Sequence, residues 1–212
     1  MIGINKIKRF LATFAVPGLM NYLCFGMALM YVADLFTDGG ITALFGFSRA
    51  LILSGQIWRV LTFTCLPINS QPFWVLITVI LYFQIGRELE SAWGAHELTK
   101  YLLVSWLLTV AAGFIAGHVT NTYIFLGMFL AYGKILPKMQ MRIFFMIPVE
   151  AWLLAVMDAV IMLISLIRFH DWAVIPAFLT FAIFFGKDFF DRWNSRRRYN
   201  KFKEAFRHRN DE

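Results

Sequence analysis

The sequence predicts an all-α fold, a polytopic membrane bundle of six transmembrane helices. Of its 212 residues, 59% are hydrophobic and 16% are charged, which is more apolar surface than a water-soluble domain of this size can cover. The apolar segments are long and continuous, whereas transmembrane strands would appear as stretches of about ten alternating residues. A spanning helix needs about 20 apolar residues, so the chain has room for six spans and no separate soluble domain.

The first predicted span follows a basic N-terminal segment, residues 1–15. The apolar run at residues 16–36 is longer than the core of a secretory signal, and no small-residue cleavage site follows it. We therefore predict that it is retained as the first helix of a membrane domain at residues 16–186. The other five spans are predicted at residues 73–85, 98–117, 123–136, 143–167 and 172–185.

The second and fourth predicted spans are shorter than a bilayer requires. Residues 73–85 and 123–136 each hold fewer than the roughly 20 apolar residues that cross a hydrocarbon core. Helices that are too short thin the lipid around them, at a cost of fractions of a kcal/mol per Å of mismatch. We therefore expect a thinned bilayer around the protein.

The connector between the first two spans, residues 37–72, is apolar but interrupted. Its helix breakers are Gly39, Gly40, Gly46, Gly55 and Pro67. A segment broken in this way does not cross the bilayer as one helix and fits an amphipathic loop that lies in the membrane interface.

The distribution of Lys and Arg predicts that both chain ends face the cytoplasm, since positive residues near span ends are retained there. With the N-terminus inside, the cytoplasmic segments hold seventeen of the 20 Lys and Arg residues, and the outer segments hold only Arg49, Arg59 and Arg168. The last cytoplasmic segment, residues 187–212, is basic and aromatic, and we expect it to bind anionic lipid at about 1 kcal/mol per cation. Nucleic acid or ribosomes could use the same charges, but no RNA-binding signature accompanies them, and no nucleic-acid partner is expected.

Three motifs in order along the chain resemble the rhomboid superfamily. They are SGQIWRVLTF at residues 54–63, GRELESAWG at residues 86–94 and FMIPVEAWLL at residues 145–154. The resemblance covers roughly residues 55–186, and it implies a rhomboid-like six-helix fold. The positions that carry it are Trp58, Arg59, Gly86, Arg87, Glu88, Glu90, Gly94 and Gly127.

These motif residues also have a physical interpretation of their own. Trp58 and Arg59 suit the depth of the lipid headgroups, with the ring in the interface and the guanidinium on phosphates. Arg87, Glu88 and Glu90 lie at a predicted helix end, where charges cap backbone groups and pair with one another. We expect an anchoring role for the first pair and an architectural role for the second group.

Rhomboid peptidases, peptidase family S54, place a serine nucleophile at the start of the fourth helix and a histidine base on the sixth. By that resemblance, Thr122 and Val174 occupy the two positions, and Trp74 and Thr78 replace the side chains that bind the oxyanion. Valine cannot accept a proton from a nucleophile, and loss of one oxyanion donor costs about 100-fold in rate or more. The resemblance therefore implies a pseudoprotease, similar in logic to the derlins, with no catalytic residue and no cofactor or metal.

The expected function is binding of transmembrane client proteins without cleavage, with the lipid bilayer as the other partner. One alternative is a rhomboid-type intramembrane peptidase with a nonstandard nucleophile, Thr122, assisted by His118 or by His170 and Asp171 at the outer face. The other is a small proton-coupled carrier that uses Asp158, although the chain shows no internal repeat.

Asp158 is the polar residue that most needs an explanation. It stands in the middle of the fifth predicted span, where a bare carboxylate costs several kcal/mol. Its side chain contacts a client or binds a proton or ion, or it makes an interhelical hydrogen bond to Asn21, Thr78 or Ser105. The compact chain and the absence of long tails favour the plasma membrane of a prokaryote as its location.

Overall fold

The computed structural model describes residues 16–37, 39–68, 70–143, 147–168 and 171–186. The predicted basic segment at residues 1–15, the tail at residues 187–212 and His170 lie outside these ranges. We number the helices and strands in chain order.

Helix α1 (Leu19–Leu35) is followed by three short helices, α2 (Gly40–Phe45), α3 (Arg49–Leu53) and α4 (Arg59–Thr62), and by a 3-10 turn at Phe63–Cys65. The remaining elements are α5 (Pro72–Trp93), α6 (Ala95–Ala116), α7 (Thr122–Ile135), β1 (Gln140–Ile143), β2 (Ile147–Glu150), α8 (Ala151–Arg168) and α9 (Trp172–Gly186), which opens with a 3-10 turn at Trp172–Val174.

The described residues include three helices that are long and apolar enough to cross a bilayer, namely α5, α6 and α8. Helices α1, α7 and α9 are apolar but shorter. The 14 residues of α7 give an axial length of about 21 Å, less than the roughly 30 Å of a hydrocarbon core. The helical membrane fold is confirmed, while six complete crossings stay a prediction.

The predicted end of the second span is wrong. Helix α5 runs for 22 residues to Trp93, eight residues beyond the predicted end, and is therefore not short. Its charged last turns remain helical because Glu88 accepts a hydrogen bond from the Tyr132 hydroxyl and Glu90 accepts one from the Gly18 backbone N–H. The length of α5 therefore does not support the expectation of a thinned bilayer, whereas the short helix α7 still supports it.

The fifth span also begins later than predicted. Residues 140–143 and 147–150 pair as an antiparallel ribbon, with Gln140 opposite Glu150, and α8 starts only at Ala151. A helix through this region would place Pro148 in its interior, where proline removes a backbone hydrogen bond and clashes with the preceding turn. The all-α prediction missed this ribbon.

Small residues bring the helices together. A Cβ built on Gly86 of α5 would overlap the Met20 side chain of α1, and one built on Gly133 of α7 would overlap Ala155 of α8. Such close approach is typical of membrane helices, which gain dispersion contacts rather than hydrophobic burial when they associate.

The first loop, residues 37–72, is attached to the bundle by buried hydrogen bonds. Asn121, which is 3% exposed, donates from Nδ2 to the carbonyl oxygens of Thr64 (3.0 Å) and Leu66 (2.8 Å). The Trp106 indole donates to the carbonyl of Val60 at 3.1 Å. The loop is therefore docked on α6 and on the start of α7, while its location in the interface stays a prediction.

Replacing Asn121 with alanine is expected to lower the free energy of unfolding by about 2 kcal/mol, because two buried carbonyls lose their donor. Thermal unfolding of the purified protein in detergent micelles measures the effect. Asn21→Ala is the matched control, since Asn21 is exposed on α1 and surface changes usually stay within about 0.5 kcal/mol. Equal losses in the two variants would contradict the docking role of Asn121.

Candidate functional site

The side chains of Trp58 and Arg59 differ in their exposure. The Trp58 side chain is 52% exposed, whereas Arg59 is 4% exposed. The Arg59 guanidinium donates to Gln56 Oε1 (2.6 Å) and to the carbonyl oxygens of Ala43 (2.9 Å) and Gly46 (2.7 Å). Trp58 stays a candidate interfacial anchor, but the predicted placement of the Arg59 guanidinium on lipid phosphates is wrong, because it binds the loop's own backbone.

The charged residues at the end of α5, Arg87, Glu88 and Glu90, have two different roles. Both Glu90 oxygens accept from the Gly18 backbone N–H, at 2.9 and 3.1 Å, at the start of α1. Glu88 accepts from the Gln84 amide at 3.0 Å and from the Tyr132 hydroxyl of α7. Arg87 is exposed and lies over the Phe83 ring at 5.7 Å from its centroid. The two carboxylates therefore connect helices, whereas Arg87 pairs with neither of them.

Gly94 separates α5 from α6 with a positive φ of 90°, a conformation that favours glycine because it has no Cβ. The turn allows the two helices to pack with only one residue between them. We call this side of the bundle the Gly94 end and the opposite side the first-loop end.

The positions that correspond to catalytic residues in rhomboids hold no acid–base pair. Thr122 is the first residue of α7, and its hydroxyl accepts a hydrogen bond from the Thr120 hydroxyl at 3.2 Å. Val174 is fully buried in an apolar cluster with Leu130, Met162 and Ala177. Trp74 is 45% exposed and Thr78 half-buried on α5. Among the described residues, the Thr122 hydroxyl is hydrogen-bonded to no general base.

Helices α7 and α9 nevertheless approach closely. A Cβ on Gly127 would lie 3.4 Å from the Ala177 Cβ and 3.4 Å from the Tyr101 hydroxyl. The Tyr101 hydroxyl donates to the Gly127 carbonyl at 2.6 Å. Alanine at position 177 is therefore small enough for this contact.

The alternative triad is not assembled among the described residues. Asp171 accepts from the Tyr123 hydroxyl at 2.5 Å through Oδ2 and from the Ala173 backbone N–H at 3.1 Å through Oδ1. His118 is exposed on the loop before α7. Asp171 thus acts as the N-cap of the turn that opens α9. This structural role is predictable from the sequence, because Asp directly before a helix is a common N-cap.

Asp158 faces the bundle interior from the middle of α8. It is 8% exposed, and its Oδ2 atom has no hydrogen-bond partner among the described residues. Asn21 is exposed on α1, and the buried Ser105 hydroxyl is also without a partner. The expected bond to Asn21, Thr78 or Ser105 is thus absent from the part of the chain that the structure describes.

The space between α5 and α8, which we call the seam, lies next to the Asp158 carboxyl group. Tyr82 of α5 lies near enough to Asp158 for their charges to interact, yet the two helices hardly contact each other. Apolar side chains are exposed on both helices: Leu76, Ile80 and Phe83 on α5, and Met157 and Ile161 on the side of α8 that carries Asp158. The sequence predicted the polar residue but not the seam, which depends on the packing of distant helices.

Cys24 and Cys65 are free thiols. Burial raises the pKa of the Cys65 thiol above its ordinary value, and a hydrogen bond with Thr64 opposes that shift. Because the thiolate is the reactive form, Cys65 is a poor nucleophile at neutral pH.

Comparison with known families gives one match. Residues 18–187 match the family described as "Eukaryotic integral membrane protein (DUF1751)", a range that contains α1 to α9. No curated protein matches the chain. The match supports a multi-pass protein of the membrane.

The same match corrects the predicted location. Because the family is eukaryotic, the expectation of a prokaryotic plasma membrane is wrong. A compact chain follows from the needs of a small helix bundle, which are the same in every cell type, and so carries no information about the organism.

Proposed function

The chain belongs to this family of eukaryotic integral membrane proteins, and from that premise we propose that it is a rhomboid-like protein that binds transmembrane segments of client proteins without hydrolysing them. The three motifs, in their order along the chain, support the rhomboid part of the proposal. The proposal keeps the predicted topology, with both ends in the cytoplasm and the basic tail at residues 187–212 on anionic lipid.

The unpartnered carboxyl group of Asp158 is the observation that carries client binding. A polar group inside a membrane bundle is costly unless it finds a partner, and Asp158 has none among the described residues. A polar side chain on a client helix supplies that partner. Hydrogen bonds between membrane helices contribute about 1 kcal/mol, enough to select such a client from an otherwise similar apolar helix.

The seam between α5 and α8 offers the client a route to Asp158. Its exposed apolar side chains match the surface of a transmembrane helix, and no tight helix contact has to be broken to separate α5 from α8. The client therefore binds with its apolar residues on the seam and one polar residue at the depth of Asp158.

The surroundings of Thr122 argue against hydrolysis. A hydroxyl nucleophile needs a general base within hydrogen-bond reach, and the described neighbour of the Thr122 hydroxyl is the hydroxyl of Thr120. Val174 is an apolar core residue. Binding is therefore the activity that these residues support.

The proposal is tested with single-helix reporters reconstituted with the protein in vesicles. One reporter is a Leu/Ala helix, and its twin carries one Asn at the bilayer centre. A photo-crosslinker at Ile161, one turn from Asp158 on the same side of α8, is expected to capture the Asn reporter about fivefold more strongly, because one hydrogen bond of about 1 kcal/mol is gained. Asp158→Leu removes this preference, Asp158→Asn keeps it, and Met157→Leu, a neighbouring exposed position, serves as the matched control.

Three outcomes would contradict the proposal. Equal capture of both reporters by the wild-type protein would exclude Asp158 as the recognition group. Reporter cleavage that disappears in Thr122→Ala would identify a peptidase. Proton flux through reporter-free vesicles that is lost in Asp158→Asn would identify a carrier, because asparagine cannot release a proton.

A further inference from the structure

A cavity on the Gly94 end of α5 shares Ile80 and Phe83 with the seam, but its polar lining residues are not used by the proposed client site. It has a volume of about 440 Å³, within the range of about 300–1,000 Å³ that is typical of small-molecule sites. Among the described residues it is lined by one face of α5, formed by Ile80, Phe83, Gln84, Arg87, Glu88 and Ser91.

The lining changes from apolar to polar along the helix. Ile80 and Phe83 provide exposed apolar surface, and Arg87 and Ser91 follow one to three turns closer to the Gly94 end. The axis rises by about 16 Å between residues 80 and 91. A membrane lipid presents the same order of chemistry, with hydrocarbon first and a phosphate at the membrane surface.

Arg87 is the charged group that this cavity offers to a ligand. It makes no ion pair within the part of the chain that the structure describes, and the Phe83 ring supports its guanidinium. The neighbouring Glu88 carboxylate is occupied by hydrogen bonds from Gln84 and Tyr132. A guanidinium with free, paired N–H donors is well suited to phosphate.

We propose that this cavity binds one glycerophospholipid, with its phosphate on Arg87 and an acyl chain on Ile80 and Phe83. The exposed Ser91 hydroxyl contributes to the same headgroup site. A free phosphate would leave the apolar half of the cavity uncovered, whereas a phospholipid covers both halves. The headgroup half of the site is separate from client binding, because Arg87 and Ser91 lie outside the seam, whereas the acyl chain shares Ile80 and Phe83 with it.

Lipid retention by the purified, delipidated protein tests the proposal. The protein in detergent is incubated with phosphatidylethanolamine or with diacylglycerol of the same chains. Bound lipid is counted by native mass spectrometry. Arg87→Gln is expected to lower phospholipid retention about tenfold, the loss of one charge-assisted hydrogen bond, and to leave diacylglycerol retention unchanged.

Two further variants separate the cavity from general surface charge. Lys138→Gln removes an exposed cation near the same end of the bundle but outside the cavity, and should retain wild-type binding. Arg87→Lys keeps the charge but not the paired donors, and should retain part of the binding. Equal retention by the wild type and Arg87→Gln, or an equal loss in Lys138→Gln, would overturn the site. Complete displacement by inorganic phosphate would assign the cavity to free phosphate and overturn the lipid proposal.

Discussion

Replacing Gly133 with alanine is expected to lower the free energy of unfolding by about 3 kcal/mol, the upper part of the usual range for overpacking. The added Cβ would overlap the Ala155 Cβ and lie 2.9 Å from the Ala151 carbonyl oxygen of α8. The second of these is a backbone atom, which cannot move by a change of rotamer. The variant is measured by thermal unfolding in micelles.

Two companion variants define the cause of that loss. Gly186→Ala is the matched control, because no described atom lies within 4 Å of its added Cβ, and it should unfold like the wild type. Combining Gly133→Ala with Ala155→Gly should recover part of the stability, since one of the two overlaps is removed. If Gly133→Ala and Gly186→Ala behave alike, the close packing of α7 on α8 is refuted.

Arg59→Met is expected to lower the free energy of unfolding by a similar amount, about 3 kcal/mol. Methionine fills much of the volume but leaves the carbonyl groups of Ala43 and Gly46 without their charged donor, and hydrogen bonds to charged groups contribute about 1.5–3 kcal/mol each. The first loop should also become more susceptible to proteolysis than the helices, because α2 and α4 are held together through this side chain.

The matched control is Arg168→Met, since Arg168 is exposed at the end of α8. Arg59→Lys should fall between the wild type and Arg59→Met, because a single ammonium group cannot reach all three acceptors in the guanidinium geometry. Identical unfolding and proteolysis of Arg59→Met and Arg168→Met would show that the buried guanidinium does not organise the loop.

The accuracy of the sequence-based helix boundaries differed between elements for identifiable reasons. The limits of α6 and α7 lie close to the predicted spans 98–117 and 123–136, because glycine and polar residues interrupt the apolar runs there. The end of α5 was missed because its last turns are charged, and only partners far along the chain, Gly18 and Tyr132, make a helix favourable there.

The candidate site was predicted in its residues but not in their partners. Asp158 stands out in the apolar run of the fifth predicted span, because a carboxyl group without a partner is costly inside a membrane. The sequence does not show that Asp158 lacks a partner among the described residues, or that it lies next to a seam between α5 and α8. Both depend on how the helices pack. The same is true of Arg59, whose sequence context suits a lipid phosphate as well as it suits the backbone carbonyls that it binds.

The sequence by itself determined that this protein lies in a lipid bilayer, and it determined the positions of the apolar helices. Both depend on local composition, because a bilayer selects any apolar segment of sufficient length. Only the tertiary structure decided which polar residues connect helices and which have no partner among the described residues. Glu88 and Glu90 are used within the bundle, while Arg87 and Asp158 are without ionic or hydrogen-bonded partners in the described chain. All four are ionisable residues in the sequence, and the geometry of distant helices gives them different roles.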